Sequence, residues 1–437
     1  MHAREPLLDR PDAAPVFHRT QGPVSAAAFL HDVHRLAARL PQGRHLVNLC
    51  RDRYAFAVAF AAGLVAGRIA LLNVDPAALP ALAAAYAGCT VAADWAVPGC
   101  GLPVIPVEPA AASPDTPPAN PAIPSAQLAA IVFTSGSTGA PVPHPKRWGA
   151  LVARSRAAAR QFALEGGSVI GTVPPQHMYG FELTVLLPLH APVTGWCGPA
   201  FFPGDVGAAL LACAGPSTLV TTPLQVRALL QADPALPPPY LCISATAPLD
   251  SALAARAEAA WAAPVMEIFG ATECGSIASR RTTEGPDWSL YPGLDLVIDP
   301  GGTTVAAPFM DRVPLADVLE ATPSGFRLLG RRTDLVKLGG RRASLLGLNE
   351  LLVRLPGVDD GAFVVPDDLD QRSTARLVAI VVAPGRTSID ILADLRRVLD
   401  PVFLPRRVIR VDSLPRNALG KLPRQALLLL MEQAGAA

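Results

Sequence analysis

The chain of 437 residues is short of charge: charged residues make up 17% of it against 51% hydrophobic ones, and the formal net charge is only +1. A near-neutral chain gives no electrostatic reason to expect nucleic acid or an anionic membrane surface as partner, since both are bound through an excess of positive charge. Paired cysteines are missing as well. Cys50, Cys89, Cys100, Cys197, Cys213, Cys242 and Cys274 are scattered, odd in number and without CxxC spacing. That speaks against a zinc site and a disulfide framework, and it suits a reducing, cytoplasmic setting. No uncharged apolar run approaches the ~20 residues of a membrane span. The stretch YAFAVAFAAGLVAG, Tyr54–Gly67, is too short and reads as a buried helix. The opening MHAREPLLDRPDAAPVFHRT carries early acids and no apolar core, so it does not read as a signal peptide.

What is present is alternation. At about 100–200 residues per domain, the length predicts two to four structural units. Apolar residues recur at helical spacing over Ser25–Leu40, HLVNLC reads as a buried strand, the Tyr54–Gly67 helix follows, and IALLNV is a strand again. Strand–helix–strand order predicts an α/β fold with a parallel sheet. Pro103–Pro124 holds eight prolines and is expected to be a surface connection. LAAIVFT reads as a strand, and alternation resumes through SVIGTVP, FELTVLLPLH, STLVTTP, LQVRALLQA, YLCISAT, LDSALAARAEAAW and VMEIFGATE. From Gly325 the pattern changes. GFRLLGRRTDLVKLGGRR suggests two short strands joined by a polar turn, and a small α+β unit follows. A boundary at Gly330 gives domains 1–330 and 331–437. The second carries 17 Lys/Arg against 12 Asp/Glu, the first 20 against 24. A basic segment beside an acidic body hints at an acidic partner, though an ordinary solvated surface looks the same.

The strand LAAIVFT runs into Thr134-Ser135-Gly136-Ser137-Thr138-Gly139. Glycines let main-chain N–H groups close around phosphate oxygens, and hydroxyls add donors. The run is not GxxxxGK[ST], and it is not GxSxG. Taken alone it is weak evidence. Four distant segments strengthen it: PPQHMYGFE with His177, IFGATE ending in Thr272-Glu273, Asp317 eight residues before Gly325 and followed by Gly330-Arg331, and LPRNALGKLPR with Lys421.

Together, in this order and over nearly the whole chain, these segments resemble the adenylate-forming superfamily of acyl-CoA synthetases, luciferases and peptide-synthetase adenylation domains. The resemblance implies a large N-terminal domain of parallel and mixed sheets flanked by helices, and a small mobile α+β C-terminal domain. It implies that Thr134, Ser135, Gly136, Ser137, Thr138 and Gly139 hold the β- and γ-phosphates of ATP, and that Thr272 contacts the α-phosphate. Glu273 is implied to bind Mg²⁺, a hard cation suited by carboxylate and phosphate oxygens. Asp317 accepts hydrogen bonds from the ribose hydroxyls, with Arg331 beside it. Lys421 stabilises the charge that develops between the attacking carboxylate and the α-phosphate. His177 lies between the ATP site and an acyl pocket drawn from Tyr179, Gly180, Ser244, Ala245, Thr246 and Gly270. Arg332 and Thr333 mark the hinge.

The departures from the family pattern are as telling. Val142 stands where the loop lysine is usual, so either Lys146 swings back or the loop works without it. Leu315-Ala316-Asp317 replaces Thr-Gly-Asp, and CISATAPLD replaces the common Ser-Gly-Gly-Ala-Pro. PPQHMYGFELTV has Glu182 as its sole acid and no aspartate to hold an amino group, which disfavours an amino acid substrate. The variant segments resemble the aryl acid–acyl carrier protein ligases of aryl polyene and xanthomonadin-type pigment clusters. That implies a hydroxybenzoate-like acid passed to the phosphopantetheine thiol of an acyl carrier protein. The alternatives are an aryl- or acyl-CoA ligase using free CoA, and a non-catalytic binding protein of the same fold.

Overall fold

Two sheets frame the larger part of the chain in the computed structural model, which describes residues 3–109, 116–135, 141–213, 215–232, 236–299, 301–331, 335–338, 341–366, 376–416 and 422–436. The first sheet has six strands in the order Pro141–Arg147, Leu128–Ser135, Ile69–Leu72, His45–Asn48, Thr90–Ala93, Val104–Pro106. All neighbours are parallel except Pro141–Arg147, which runs antiparallel along the edge. The second has nine strands. Six of them, from Val265–Ala271 across to Pro15–Arg19, are parallel neighbours, and Gly275–Arg281, Ser289–Leu290 and Gly22–Ser25 flank them antiparallel.

Parallel strands covered on both faces must be apolar on both faces. Successive residues accordingly enter different cores: Ile170, Leu219 and Cys242 face one cluster, and Val169, Val220 and Ile243 the other. Between the two sheets lies a third cluster, built on the helices Ala26–Arg39, Arg53–Val65 and Trp148–Gln161. The expected helices hold. Ser25 caps the first by accepting from the Ala28 N–H, and Asp52 caps the second by accepting from the Ala55 N–H. Every residue from Tyr54 to Leu64 is buried, as an all-round apolar helix requires.

The structure refines three expectations, and it corrects the one made for the proline-rich segment. FELTVLLPLH belongs to the helix that begins at Met178 and runs to His190, with a wide π-helical turn over Glu182–Leu186. That turn ends just before Pro188, which has no N–H to give the ladder. The proline-rich segment is not all connection, since Val104–Pro106 closes the six-stranded sheet and Ala122–Pro124 pairs with Arg4–Pro6. Both are edge strands, where proline is tolerated. The two short strands expected after Ser324 are present as Gly325–Arg331 and Leu335–Leu338; the first pairs with Asp317–Thr322 and the second with Arg341–Ser344.

Packing divides the chain into two compact units. One is 1–285 with 289–296 and 304–313; the other is 314–437 with 286–288 and 297–303. The units part at Pro314 rather than after Gly330, because the Asp317–Arg331 hairpin packs with the smaller one. That smaller unit holds a three-stranded sheet, in which Val378–Val382 lies between Asp360–Val364 and Arg407–Arg410. The helices Leu345–Val353, Ser388–Val398 and Arg424–Ala436 accompany it, and Leu352, Leu377, Ile391 and Leu395 pack its core. Thr387 and Asp390 form a capping box at the start of Ser388–Val398. No helix among the described residues is long and apolar enough to cross a membrane.

Candidate active site

Two hairpins meet at the candidate site. In the first, Thr134 and Ser135 end the strand Leu128–Ser135 opposite Val142 and Pro141. Gly136, Ser137, Thr138 and Gly139, between the two strands, lie outside the described residues. The Thr134 hydroxyl and His144 Nε2 share a hydrogen bond of 3.0 Å. Strand alternation puts Val142, His144 and Lys146 on one face. Val142 is 43% exposed at the open end, and Lys146 is buried.

The second hairpin joins Val265–Ala271 to Gly275–Arg281, with Thr272, Glu273 and Cys274 as its turn. The Cys274 N–H closes the turn onto the Ala271 carbonyl at 3.1 Å. Lys146 links the two hairpins: its Nζ donates to the main-chain carbonyl of Glu273 at 2.8 Å. Lys146 therefore does not swing back as a loop lysine. Burial lowers its pKa, against the opposing pull of Cys274, Glu182 and Glu273. Burial likewise lowers that of His144, which Glu273 partly restores.

Sequence reasoning missed the support of this turn. Arg154, on the helix Trp148–Gln161, donates from Nη2 to the Cys274 carbonyl at 3.1 Å. Glu182 is buried and accepts from Ser276 twice, from the N–H at 3.0 Å and from Oγ at 2.5 Å. Gly275 has φ +78°, and a Cβ there would stand 2.2 Å from Glu182 Oε1. Two signals were available: Glu182 is the lone acid of its segment, and the turn ends in glycine.

The Glu273 carboxylate has no hydrogen-bond partner among the described residues, and no group of three or more His, Cys, Asp and Glu gathers there as a ready-made metal site. A single free carboxylate suits Mg²⁺, which keeps much of its coordination for water and phosphate oxygens.

The expected acyl-pocket residues gather around the end of the strand Leu241–Ser244. Tyr179 donates from its hydroxyl to the carbonyls of Ile243, at 2.9 Å, and Thr221, at 3.1 Å. Ser244 is fully buried with its Oγ unpartnered among the described residues, and Ala245 is buried beside it. Thr246 holds φ +79°, a strained conformation for a β-branched residue. His177 stands at the N-cap of the helix that carries Tyr179. Gly180 and Gly270 are small because backbone lies close: an added Cβ would be 2.1 Å from the Pro174 carbonyl oxygen and 2.5 Å from that of Gly275.

A cavity of about 480 Å³ opens beside the Glu273 turn, lined among others by His144, Lys146, Arg154, Glu182 and Cys274. None of the expected acyl-pocket residues lines it. In the smaller unit, Asp317 is buried opposite Arg331 in the hairpin ladder, so the two expected ribose ligands are cross-strand neighbours. Lys421, Arg332 and Thr333 lie outside the described residues.

Known proteins resemble this chain in sequence and in fold. Residues 9–298 match the sequence profile of the family described as AMP-binding enzyme, and residues 348–421 that of the AMP-binding enzyme C-terminal domain. A 4-coumarate–CoA ligase of Rhodobacter capsulatus is 33% identical over 273 residues, 61% of this chain and 66% of that protein. A second, of Halorhodospira halophila, is 30% identical over 308 residues, 66% of this chain and 73% of its own length. The matches thus span about two thirds of these relatives. ATP-bound MatB from Rhodopseudomonas palustris superposes with a TM-score of 0.82 over 96% of this chain and 97% of its own, at 21% identity, a likeness of fold. The chain belongs to the AMP-binding enzyme family, the adenylate-forming acid–thiol ligases.

Proposed function

We propose that the chain activates an aryl carboxylic acid with ATP and passes the acyl group to a phosphopantetheine thiol. The observation that carries this reading is the convergence of the hairpin that holds Thr134 with the Thr272–Glu273 turn, joined by the hydrogen bond from Lys146 to the Glu273 carbonyl. In the first half-reaction the acid's carboxylate oxygen attacks the α-phosphorus of ATP. The α–β bond breaks, and acyl-AMP and pyrophosphate form. Thr134, Ser135 and the loop after them take the β- and γ-phosphates, and Thr272 faces the α-phosphate. Glu273 would hold Mg²⁺, which neutralises phosphate charge when bound. Asp317 and Arg331 are assigned to the ribose, and Lys421 to the charge that builds up on attack. The rest of the chain's work is positioning: His177 stands between nucleotide and acid, and Tyr179, Ser244, Ala245 and Thr246 bound the acid's site. In the second half-reaction a thiolate attacks the acyl carbon and AMP leaves.

Which thiol accepts is a choice between two readings. The two coumarate–CoA ligase relatives favour free CoA. The excess of Lys/Arg over Asp/Glu after Gly330 favours an acidic acyl carrier protein, as does the likeness of the variant segments to the aryl polyene and xanthomonadin-type ligases. The acid is expected to be of hydroxybenzoate or cinnamate type. The test is ATP–pyrophosphate exchange with a panel of hydroxybenzoates, cinnamates and medium-chain fatty acids, followed by mass spectrometry with CoA and carrier protein in parallel. Exchange with an aryl acid and a thioester product is expected. No exchange with any acid would overturn the enzymatic reading.

A further inference from the structure

Lysine is scarce in this chain: of 37 basic residues only Lys146, Lys337 and Lys421 are lysines. Lys146 is buried in the large unit. A buried cation is costly unless something compensates it. Lys146 and Arg154, each 7% exposed, make no ion pair among the described residues. Each instead donates a hydrogen bond to a main-chain carbonyl, and the two carbonyls are consecutive, Glu273 and Cys274. The cations come from different elements, one from the edge strand Pro141–Arg147 and one from the helix Trp148–Gln161. A third anchor, Glu182, grips the far end of the same turn through Ser276. The turn thus has its carbonyls drawn inward, while the Glu273 carboxylate has no hydrogen-bond partner among the described residues.

We propose that Lys146 and Arg154 are positioning residues for the Thr272–Glu273 turn. They hold its main chain so that the Thr272 hydroxyl and the Glu273 carboxylate are presented to the nucleotide. The inference rests on the proposed adenylation reaction. Partners that orient a ligating side chain typically change affinity or activity by about 10–100-fold when removed.

The test uses Lys146→Met and Arg154→Met, which keep bulk and remove the donor, with Arg154→Lys as the conservative variant. Hydrogen–deuterium exchange of the unliganded full chain is read on peptides covering residues 271–276. Faster exchange there in both methionine variants, with the rest of the large unit unchanged, is expected. In ATP–pyrophosphate exchange the same variants should need about 10–100-fold more Mg²⁺ for half-saturation, with the KM for the acid unmoved and Arg154→Lys largely restored. Wild-type exchange with unaltered Mg²⁺ dependence in both folded methionine variants overturns the inference. So does a uniform rise in deuterium uptake across the large unit, which would mark general damage. Should Lys146→Met fail to fold, Arg154→Met decides alone. Absence of exchange by the wild-type chain would instead sink the reaction on which the inference rests, and the deuterium result would still judge the anchoring.

Discussion

Alanine at Gly275 should destabilise the large unit by about 2.5–5 kcal/mol, and alanine at Gly67 by about 1–2 kcal/mol. Both glycines occupy the left-handed region, at φ +78° and +71°. A side chain there costs about 1–2 kcal/mol. They differ in what a Cβ would meet. Nothing lies within 4 Å at Gly67, whereas at Gly275 the new atom would sit 2.2 Å from Glu182 Oε1. The carboxylate would have to move and give up a hydrogen bond to Ser276. Hydrogen bonds to charged groups contribute about 1.5–3 kcal/mol each, and the sum gives the larger figure. The assay is urea unfolding followed by tryptophan fluorescence, since Trp95, Trp148, Trp196 and Trp261 all belong to the large unit. With Glu182→Ala in place, Gly275→Ala should fall back to the cost at Gly67, because the clash has gone. Equal midpoint shifts for the two glycines, or additive effects with Glu182→Ala, would refute the reasoning.

Other consequences follow from the same geometry. Burial pushes the Cys274 thiol up to about 11 and the Cys242 thiol up to about 12. Iodoacetamide at pH 8 should therefore label both at least about a hundredfold more slowly in the native chain than in urea, as mass spectrometry will show. His144 is held below its ordinary 6.5 by burial. Between its folded value and 6.5 the unfolded chain binds more protons, so stability rises with pH across that window, and His144→Gln should flatten the slope in urea titrations. Lys421→Ala should abolish adenylation with circular dichroism unchanged; normal adenylation by that variant would refute the assignment of Lys421. Val142→Lys, at an exposed position opposite Thr134, should lower the KM for ATP several-fold, and an unchanged KM would show that this loop has no use for the charge.

How much of this was legible in the sequence depended on how local each determinant is. The helix over Ala26–Arg39 could be read because its apolar period and its Ser25 cap lie within one window. The strand into Thr134 and the Thr272–Glu273 turn could be read because each is a contiguous segment. The anchoring of that turn could not, because it joins Lys146 and Arg154 to carbonyls 273 and 274 across about 120 residues or more, and main-chain carbonyls leave no mark in composition. FELTVLLPLH was ambiguous for another reason: buried on every side, it shows no period that separates strand from helix. Glu182 attracted notice as a lone acid, yet its partner Ser276 was out of reach without the fold. The pairing of Asp317 with Arg331 depends on register, which is not visible before the hairpin is seen.

The central claim is that the chain joins an acid to AMP, and the most direct measurement is trapping that product. The full chain is incubated with ATP, Mg²⁺ and the aryl acid panel, without any thiol, and quenched for mass spectrometry. The account predicts an acyl-adenylate with one equivalent of pyrophosphate for one of the acids, from cleavage of the α–β bond. Formation of ADP and phosphate, or no nucleotide ester with any acid, would contradict it.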